Sequence, residues 1–411
     1  MLRELCRVVE NDDGFVGLRF AGGRPEVVFP RGFRLAEDDK DVRQDIIRLL
    51  GAIRRFGNHR EGDGTVAPES ETELSFPIQS YQYVIYDFLR NGYYAEREVR
   101  YVESPRGKIN WKRTIQMEQP HLDGDNVVYL NFIVKTNRIS SDNLLTRIHE
   151  YCVYESFQKM GWLFVSGDAL PMKPRIPFNR NLFLSALTKE LGQTFNDGKR
   201  KLFQCMINII NEAAEEANDD SEAAFGVRRF EYVWEAMIDY VFGESDRERF
   251  YPRAHWIIVD RNGRKRESSE LRPDTIMKLD GRICILDAKY YKFGITGRPE
   301  HLPNTDSVQK QITYGDYVAE RGFAPRNSIY NAFLMPYCAP ADNGAPFKFA
   351  SVGMADWRTY GRETENYNYI LGILVDAKYL VTTYARHNST EIERLGALIE
   401  ESLGRYRQAV S

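Results

Sequence analysis

The stretch RPDTIMKLDGRICILDAKYYKFG, residues 272–294, decides how the last part of this chain folds. It contains two strand-like segments, TIMKL and RICIL, that are rich in apolar and β-branched residues. The dipeptide Asp280-Gly281 between them is a strong signal for a two-residue hairpin loop. Because the segments are apolar on both faces, they indicate buried strands rather than a solvated edge. Charged residues in such strands need a partner or a function.

The hairpin loop fixes which residues of the two strands lie opposite each other. With Asp280-Gly281 as the loop, Leu279 pairs with Arg282, and Asp274 is then opposite Asp287. Directly opposed residues share a sheet face, with Cβ atoms roughly 4.5–5.5 Å apart. Side chains alternate along a strand, so Lys289 points to that same face. A one-residue slip would separate these side chains, so this prediction depends on the loop.

Two aspartates and a lysine on one sheet face have a specific chemistry. Carboxylates this close repel, and one takes up a proton unless a cation lies between them. Mg²⁺ prefers oxygen ligands and commonly binds one or two carboxylates with water and phosphate oxygens. Lys289 would then stabilise charge on a phosphate or polarise an attacking water. This pattern indicates a metal-dependent phosphodiesterase, whereas the alternative is an ordinary Asp–Lys ion pair in an edge hairpin.

Composition limits the class of protein. A chain of 411 residues predicts two or three domains, and 43% hydrophobic with 28% charged residues is ordinary for a soluble protein. The five cysteines are scattered and never form CxxC, which favours the cytoplasm. Neither a signal peptide nor a membrane-spanning run is visible. A net charge of −3 implies that nucleic acid would be bound by local patches or through a partner.

Patterning along the chain predicts three domains. Residues 1–145 alternate strand-like runs with Gly-rich turns and two helices, which indicates an α+β domain for partner or DNA contact. Residues 146–225 are mainly amphipathic helix and form a connecting region. Residues 226–411 run helix, three strands, helix, further strands and a terminal helix, which predicts an α/β fold with a mixed sheet flanked by helices.

Two helices of the last domain can be located from their ends. FEYVWEAMIDYVF has apolar positions on one helical face and is followed by Gly243. The segment TDSVQKQITYGDYVAERG predicts a second helix, with Thr305 or Asp306 as its N-cap and Gly322 at its end.

RPD followed by LDAK resembles the motif of PD-(D/E)XK nucleases, with Asp274, Asp287 and Lys289 in the motif positions. This resemblance implies a restriction-endonuclease-like fold and an additional acidic residue on the preceding helix. Glu235 is preferred as that third metal ligand, because WEAMIDYVF is similar to the aromatic-Glu helix of the family. Glu231, one turn earlier on nearly the same face, is the alternative.

Many members of these nucleases also carry a Gln and a Tyr on the helix after the DxK strand. VQKQITY offers Gln309 or Gln311 together with Tyr314, and neither glutamine has the usual four-residue spacing to the tyrosine. Gln311 and Tyr314 are therefore predicted as further catalytic residues by resemblance alone.

RGKINWKRTI (106–115), VVYLNFIVKTNRIS and the nuclease block together resemble the LlaJI family of restriction endonucleases. That family is related to McrC, the nuclease partner of a GTP-driven AAA+ motor, and the resemblance begins near residue 75. It implies double-stranded DNA as substrate, a McrB-like AAA+ GTPase as partner and an associated methyltransferase system. No GxxxxGK[ST] phosphate loop occurs in this sequence, so an NTPase would be another chain.

Two basic segments are candidates for DNA or partner contact. The first surrounds Trp111, and its cations are Arg106, Lys108, Lys112 and Arg113. It reads either as a phosphate or motor contact, or as a solvated strand pair with Trp111 in the core. The second is a predicted loop ahead of the Pro-Asp strand, with Arg264, Lys265 and Arg266.

A second Asp-Ala-Lys triplet, residues 376–378, lacks a Pro-Asp strand at hairpin distance, so we interpret it as a strand end running into a turn.

The sequence therefore predicts an Mg²⁺-dependent endodeoxyribonuclease acting in phage defence, with Mn²⁺ as a substitute metal and with one or two metal ions. The alternatives are a non-catalytic adaptor that activates the motor, and a repair or recombination nuclease.

Overall fold

The computed structural model describes residues 2–9, 14–63, 72–73, 75–124, 126–140, 143–165, 167, 171–216, 223–258, 264–340, 348–356, 365–384 and 387–410. Within these ranges the chain has a mixed α/β architecture. No helix there combines the length and the apolar character needed to cross a membrane.

The strands are β1 (Cys6–Val8), β2 (Val16–Ala21), β3 (Arg24–Phe29), β4 (Thr72–Glu73), β5 (Glu96–Glu103), β6 (Lys108–Ile109), β7 (His121–Asp123), β8 (Asn126–Val128), β9 (Ile133–Ser140), β10 (Ala224–Val227), β11 (Arg253–Ile258), β12 (Arg264–Glu270), β13 (Thr275–Leu279), β14 (Arg282–Ala288), β15 (Ile329–Tyr337), β16 (Phe349–Ala355) and β17 (Ile370–Asp376).

The α-helices are α1 (Asp39–Asp63), α2 (Ile78–Asn91), α3 (Trp111–Met117), α4 (Leu144–Phe164), α5 (Arg180–Gln193), α6 (Asp197–Glu216), α7 (Phe230–Phe242), α8 (Phe293–Thr296), α9 (Thr305–Glu320), α10 (Ala377–Thr383) and α11 (Ser389–Val410). Short 3₁₀ turns occupy Leu2–Leu5, Glu248–Phe250, Pro299–His301, Arg326–Ser328 and Asn366–Asn368.

The chain divides into two compact units, one of residues 1–75 with 222–411 and one of residues 76–221. These limits differ from the predicted divisions at 145/146 and 225/226. Strand β10 explains the difference, because it pairs antiparallel with both β2 and β4 and so belongs to the N-terminal sheet. Whether either division marks an independently folding domain stays a prediction.

The sheet that carries the DAK strand has the order β13-β14-β15-β17-β16. Strands β14, β15 and β17 are parallel, whereas β13 and β16 pair antiparallel at the two edges. Every residue of the central strand β15 is buried, as expected for a parallel strand covered on both faces. The mixed sheet predicted for this part of the chain is therefore confirmed.

The β13–β14 hairpin has the predicted register. Leu279 pairs with Arg282 and Thr275 with Leu286, with Asp280 and Gly281 between the strands. Their φ values of 48° and 78° both lie in the left-handed region, the combination that a two-residue loop of this kind requires. The Asp-Gly dipeptide therefore fixes which residues lie at the open end of the hairpin.

Helices α7 and α9 were located correctly from the sequence, apart from one cap. Helix α7 contacts β13 and β14, and the indole nitrogen of its Trp234 donates to the backbone oxygen of Leu334 at 3.2 Å. Helix α9 begins at Thr305, but its N-cap is Asn304, whose side chain accepts from the nitrogen of Ser307 at 3.1 Å. The predicted cap at Thr305 or Asp306 is wrong because asparagine caps as well as aspartate.

The same unit contains a second five-stranded sheet, of order β1-β3-β2-β10-β4. The predicted strands near residues 15–20 and 25–30 correspond to β2 and β3. In the second unit, a three-stranded sheet of order β5-β9-β6 accompanies helices α2 to α6. The predicted strand VVYLNFIV is divided there between β8 and β9.

Candidate active site

The open end of the β13–β14 hairpin brings two aspartates together. Asp274 directly precedes β13, and its Oδ2 accepts a hydrogen bond from the backbone nitrogen of Ala288 at 2.8 Å. Because Ala288 follows Asp287, this bond continues the hairpin pairing past the last ladder pair. Both side chains are largely buried, so their charges act on each other with little screening by water.

Lys289 neutralises part of this charge. Its Nζ lies 2.6 Å from Oδ2 of Asp287, and the two side chains are 22% and 12% exposed. Burial opposes the positive charge of Lys289, but the Asp287 and Asp274 carboxylates outweigh it, so the pKa of Lys289 lies above its ordinary value. The ammonium group is thus held charged beside the aspartates.

Asp287 and Glu235 both affect the ionisation of Asp274. Burial is the largest cause that raises the pKa of Asp274 well above its ordinary value, followed by repulsion from Asp287 and Glu235. The backbone hydrogen bond from Ala288 acts in the opposite direction. A buried carboxylate beside two others favours a proton or a cation, which is the condition that the sequence predicted.

Helix α7 contributes Glu235 and not Glu231 to this cluster. Burial raises the pKa of Glu235 to about 7, with Lys289 lowering it and Asp287 raising it. Glu231 instead pairs with the guanidinium Nε of Arg229 at 2.6 Å, at a more exposed position. The preference for Glu235 is therefore consistent with its position, while its catalytic role stays a prediction.

Helix α9 presents Tyr314 to the same end of the hairpin. The hydroxyl of Tyr314 donates to the backbone oxygen of Arg272 at 3.2 Å. Burial raises the pKa of Tyr314 to about 12, with added effects of the Asp287 and Asp274 carboxylates. The phenol is therefore neutral and remains a hydrogen-bond donor at neutral pH.

Gln311 lies one turn before Tyr314 on the same side of α9. Its side chain is buried, and neither its oxygen nor its nitrogen has a hydrogen-bond partner among the described residues. Such a group is costly unless water, an ion or a substrate satisfies it. Gln309 is exposed on the helix, which favours Gln311 of the two glutamines considered.

Asp274 and Asp287 fit a magnesium ion by the chemistry of their donors. Burial and then repulsion from Asp287 raise the pKa of Asp274, and a divalent cation between the two aspartates would offset both. Within the part of the chain that the structure describes, no group of three or more His, Cys, Asp or Glu side chains is arranged to hold a metal. Because Mg²⁺ commonly takes only one or two carboxylates, the two aspartates are sufficient, and Glu235 as a third ligand stays a prediction.

A comparison with models of protein families shows the family to which this chain belongs. The model of the LlaJI restriction endonuclease matches residues 15–355. The chain belongs to the LlaJI restriction endonuclease family. The matched range includes Asp274, Asp287 and Lys289.

This LlaJI-family chain is similar to one curated protein and to one solved chain. The Type II restriction enzyme BsuMI component YdjA of Bacillus subtilis (strain 168) is 24% identical over 337 residues, which cover 78% of this chain and 72% of YdjA. A solved chain from an assembly of Thermococcus gammatolerans McrB AAA+ hexamers with bound McrC is 16% identical, with 90% of this chain and 82% of that chain covered. Its TM-score of 0.34 is too low to support a statement about the fold.

The second Asp-Ala-Lys triplet of this LlaJI-family chain has structural partners. Asp376 ends β17 and caps α10, because its Oδ1 accepts from the nitrogen of Tyr379 at 2.7 Å. The Nζ of Lys378 lies 2.5 Å from Oδ2 of the buried Asp45. The triplet therefore ends a strand as expected, although a helix follows it and not merely a turn.

The basic segment around Trp111 lies in the second unit, and its structure contradicts the strand pair with Trp111 in the core. Lys108 belongs to β6, whereas Trp111 begins α3 and is 54% exposed, so it is not in the core. The guanidinium of Arg113 lies 3.8 Å from the centroid of the Tyr101 ring. Arg106 and Lys112 are exposed as well.

Large apolar side chains accompany these cations on α3 and in the segment after it, residues 121–130. The exposed ones are Ile115, Met117, Leu122, Val127 and Leu130. Mixed basic and apolar exposure is typical of a contact surface, and contact with DNA or with a motor stays a prediction.

The second basic segment is a strand and not a loop. The backbone of Arg264, Lys265 and Arg266 lies in β12, which pairs antiparallel with β11. The polar composition of Arg264–Glu270 gave no signal for a strand, because its regularity comes from pairing with β11. The side chains of these three residues lie outside the described part of the structure, so their contact with DNA stays a prediction.

The sequence did not reveal which residues bind the segment that directly follows Lys289. The backbone nitrogen of Arg31 donates to the hydroxyl of Tyr290 at 2.6 Å, and its Nη1 donates to the backbone oxygen of Tyr290 at 3.1 Å. The Tyr290 ring also packs against the rings of Phe230 and Trp234 on α7. Arg31 and Tyr290 are 259 residues apart, so no local sequence signal predicts their hydrogen bond. The only hint is the pair of tyrosines that follows Lys289, of which Tyr290 is the first.

Proposed function

We propose that this chain is the metal-dependent endonuclease subunit of a restriction system that hydrolyses phosphodiester bonds of double-stranded DNA in phage defence. The observation that carries the proposal is the convergence of Asp274, Asp287 and Lys289 at the open end of one hairpin. Membership of the LlaJI restriction endonuclease family supports the same reaction class. The cytoplasm is the expected compartment for a protein that acts on invading DNA.

The side chains have separable tasks in this proposal. Asp274 and Asp287 would hold the metal, which when bound supplies a Lewis acid that favours ionisation of water. Lys289 stabilises the negative charge that develops on the phosphoryl oxygens, since its ammonium is held charged by Asp287. The oxygen of one water joins phosphorus, one ester P–O bond breaks, and the departing oxygen takes up a proton.

Gln311 and Tyr314 are suited to orient the reacting groups. Tyr314 is a neutral donor beside the two aspartates, and the buried amide of Gln311 offers both a donor and an acceptor. Glu235 would complete the metal environment or accept a proton, because its pKa of about 7 lets it do either near neutral pH.

A McrB-like AAA+ GTPase is the proposed partner. The sequence holds no phosphate loop of its own, and the motifs that resemble the McrC-related LlaJI family imply such a motor. The exposed basic and apolar side chains near Trp111 provide a surface on which a protein partner would bind. An adjacent methyltransferase gene would favour restriction over a role in repair or recombination.

The test combines the purified chain with the motor encoded beside its gene, GTP and Mg²⁺, on methylated and unmethylated plasmid. We expect cleavage by the wild type, and loss of cleavage in Asp287→Asn and Lys289→Ala. Asp306→Asn and Lys310→Ala on the exposed face of α9 are matched controls that should cleave normally. Cleavage that survives Asp287→Asn would contradict the site.

The same experiment distinguishes the adaptor. An adaptor would leave every plasmid intact while the wild type still stimulates GTP hydrolysis by the motor. Mn²⁺ in place of Mg²⁺ should support cleavage, since both ions accept carboxylate and water ligands.

A further inference from the structure

The chain forms a compact loop, residues 291–302, between the strand of the first Asp-Ala-Lys triplet and helix α9. The loop begins two residues after Lys289, where the backbone nitrogen of Tyr291 donates to the backbone oxygen of Lys289 at 2.7 Å. It ends three residues before Thr305, the first residue of the helix that carries Tyr314. Every residue of this loop lies in the described part of the structure. The loop therefore starts and finishes next to elements of the proposed site.

The 291–302 loop is anchored on the carboxyl end of β15. A Cβ atom on Gly294 would collide with the backbone oxygen of Pro336, so this glycine allows the two backbones to lie in close contact. The side chain of Phe293 packs against the buried cluster that contains Met335 and Tyr337. In open α/β sheets, ligands bind beyond the carboxyl ends of the parallel strands. The anchors thus hold the loop at the sheet edge where a substrate is expected.

Hydrogen bonds inside the 291–302 loop tie its two short turns together. The hydroxyl of Thr296 lies 2.7 Å from Nδ1 of His301, and the backbone nitrogen of Arg298 donates to the same hydroxyl at 3.3 Å. The backbone nitrogen of Gly297 donates to the backbone oxygen of Phe293 at 2.8 Å and ends α8. The outer side chains of the loop are therefore presented from a backbone with its own internal support.

The outer surface of the loop combines apolar side chains with a cation. Ile295 is 49% exposed, and Tyr291 and Leu302 are each more than a third exposed. The side chain of Arg298 is 70% exposed, and its Nη1 lies 4.0 Å from Oε1 of Glu300, the only carboxylate of the loop. An ion pair this long between exposed side chains contributes little free energy, so a phosphate can replace the carboxylate.

The position of the loop favours DNA as its ligand over a protein partner. The phosphodiester that Asp287 and Lys289 are proposed to cleave belongs to a continuous strand, so its neighbouring nucleotides pass over the adjoining surface. The 291–302 loop leaves directly from Lys289 and adjoins that path. Arginine commonly binds backbone phosphates, and apolar side chains such as isoleucine and leucine contact or separate base steps in a groove.

We propose that the 291–302 loop contacts the DNA beside the cleaved phosphodiester, with Arg298 on a backbone phosphate and with Ile295 and Leu302 against sugars and bases in a groove. The proposal rests on the nuclease function proposed above, and it adds a surface that holds the duplex next to the carboxylate cluster. The loop responds to the shape of DNA rather than to its sequence, because aliphatic side chains form no hydrogen bonds with base edges.

The first test measures the binding of a labelled DNA duplex to the full-length chain in EDTA, over a series of salt concentrations. Arg298→Ala should weaken binding about fivefold to tenfold and reduce the dependence of log K on log salt by about 0.9, the value for one phosphate contact. Arg298→Lys should keep the salt dependence because it keeps the charge. Arg405→Ala on α11 is the matched control, since Arg405 is exposed and also pairs with a neighbouring carboxylate, and it should change neither quantity.

The second test addresses the apolar contact. Leu302→Ala should weaken duplex binding about twofold to fivefold and leave the salt dependence unchanged, because it removes a contact without charge. Ile47→Ala on α1 is the matched control, since Ile47 is 39% exposed and Leu302 is 38% exposed. Thermal unfolding of each variant should give the wild-type midpoint, so that a change in binding is not a loss of folding.

A protein partner is the alternative ligand of the loop. If Arg298→Ala and Leu302→Ala bind DNA like their controls but lose affinity for the motor encoded beside the gene, the loop is a protein interface and the proposal is wrong. Equal losses of DNA binding in the loop variants and the controls, or no duplex binding by the wild type, would also overturn it.

The two proposals fail differently. If Asp287→Asn abolishes cleavage but Arg298→Ala and Leu302→Ala bind DNA like their controls, the nuclease stands and the loop assignment is wrong. If the wild type with its motor never cleaves DNA but the loop variants bind it more weakly than their controls, the DNA-binding loop stands and the nuclease function is wrong.

Discussion

The Nζ of Lys289 lies 2.6 Å from Oδ2 of Asp287. Asp287 belongs to β14, and the hairpin loop at Gly281, six positions before Asp287, sets the register of that strand. This ion pair is the centre of the proposed site, because it keeps the ammonium charged beside two carboxylates. The proposed chemistry requires that charge, which makes Lys289 the first residue to change.

Lys289→Met should reduce plasmid cleavage by about 10²- to 10³-fold, the effect typical of removing one group that stabilises transition-state charge. The methionine keeps the length of the side chain, so folding should be preserved. Initial rates with the motor, GTP and Mg²⁺ measure the effect, and Lys310→Met should equal the wild type. A Lys289→Met enzyme with normal rates would remove this residue from the mechanism.

Mg²⁺ should stabilise the wild-type chain against heat without any DNA or partner. Relief of the repulsion between Asp274 and Asp287 gives the ion a higher affinity for the folded state, and a concentration of 100 Kd adds about 2.7 kcal/mol. Thermal unfolding with and without Mg²⁺ measures this. Asp274→Asn should lose the Mg²⁺ effect, whereas Asp306→Asn should keep it.

Gly281→Ala should destabilise the hairpin. Its φ of 78° is unfavourable for alanine, and the expected loss in the free energy of unfolding is about 1 kcal/mol. Denaturant unfolding measures the change. Gly51→Ala within α1 is the opposite control, because alanine favours a helix and no atom lies within 4 Å of its added Cβ. Equal effects at both glycines would contradict the loop conformation.

Tyr290→Phe should lower the free energy of unfolding by about 1–2 kcal/mol, since the backbone nitrogen of Arg31 loses its acceptor. Chemical denaturation of Tyr290→Phe and Tyr291→Phe provides the comparison. The second variant should be close to neutral because the Tyr291 ring is partly exposed. Equal losses in the two variants would show that the Arg31 bond contributes little.

His149 should make the chain less stable in mild acid. Burial lowers the pKa of this histidine from 6.5 to about 4, so the unfolded chain binds more protons than the folded chain between these values. Stability therefore falls as the pH drops from about 6.5 toward 4, by up to about 3 kcal/mol from this group.

The measurement for His149 is the difference in unfolding free energy between wild type and His149→Gln at pH 7 and pH 5. Glutamine keeps an acceptor for the Tyr94 nitrogen, which donates to Nδ1 of His149 at 2.9 Å. The variant should lose less stability on acidification than the wild type. A parallel pH dependence of the two proteins would show that His149 does not contribute.

Local chemistry explains what the sequence predicted well. Asp280-Gly281 carries its own conformational preference, so it determined the register and thereby the meeting of Asp274 with Asp287. Apolar periodicity likewise located α7, which carries Glu235. The role of Glu235 as a metal ligand stays a prediction.

Long-range pairing explains what the sequence did not reveal. A predicted boundary at residue 225/226 cuts through β10, because nothing near that strand announces partners in β2 and β4, far away in the chain. Arg31 was missed for the same reason. Trp111 was expected either at a contact or in a core, and only the packed structure shows that its ring is exposed.

Residues 76–221 form the second unit, and they lie in the sequence between β4 and β10, two strands that pair in one sheet of the first unit. The second unit therefore joins the first through two covalent connections. One of them continues through β10 into α7, and only Arg228 and Arg229 separate that strand from the helix that carries Glu235. The chain that leaves the second unit therefore reaches the helix that carries Glu235 through one four-residue strand and two arginines.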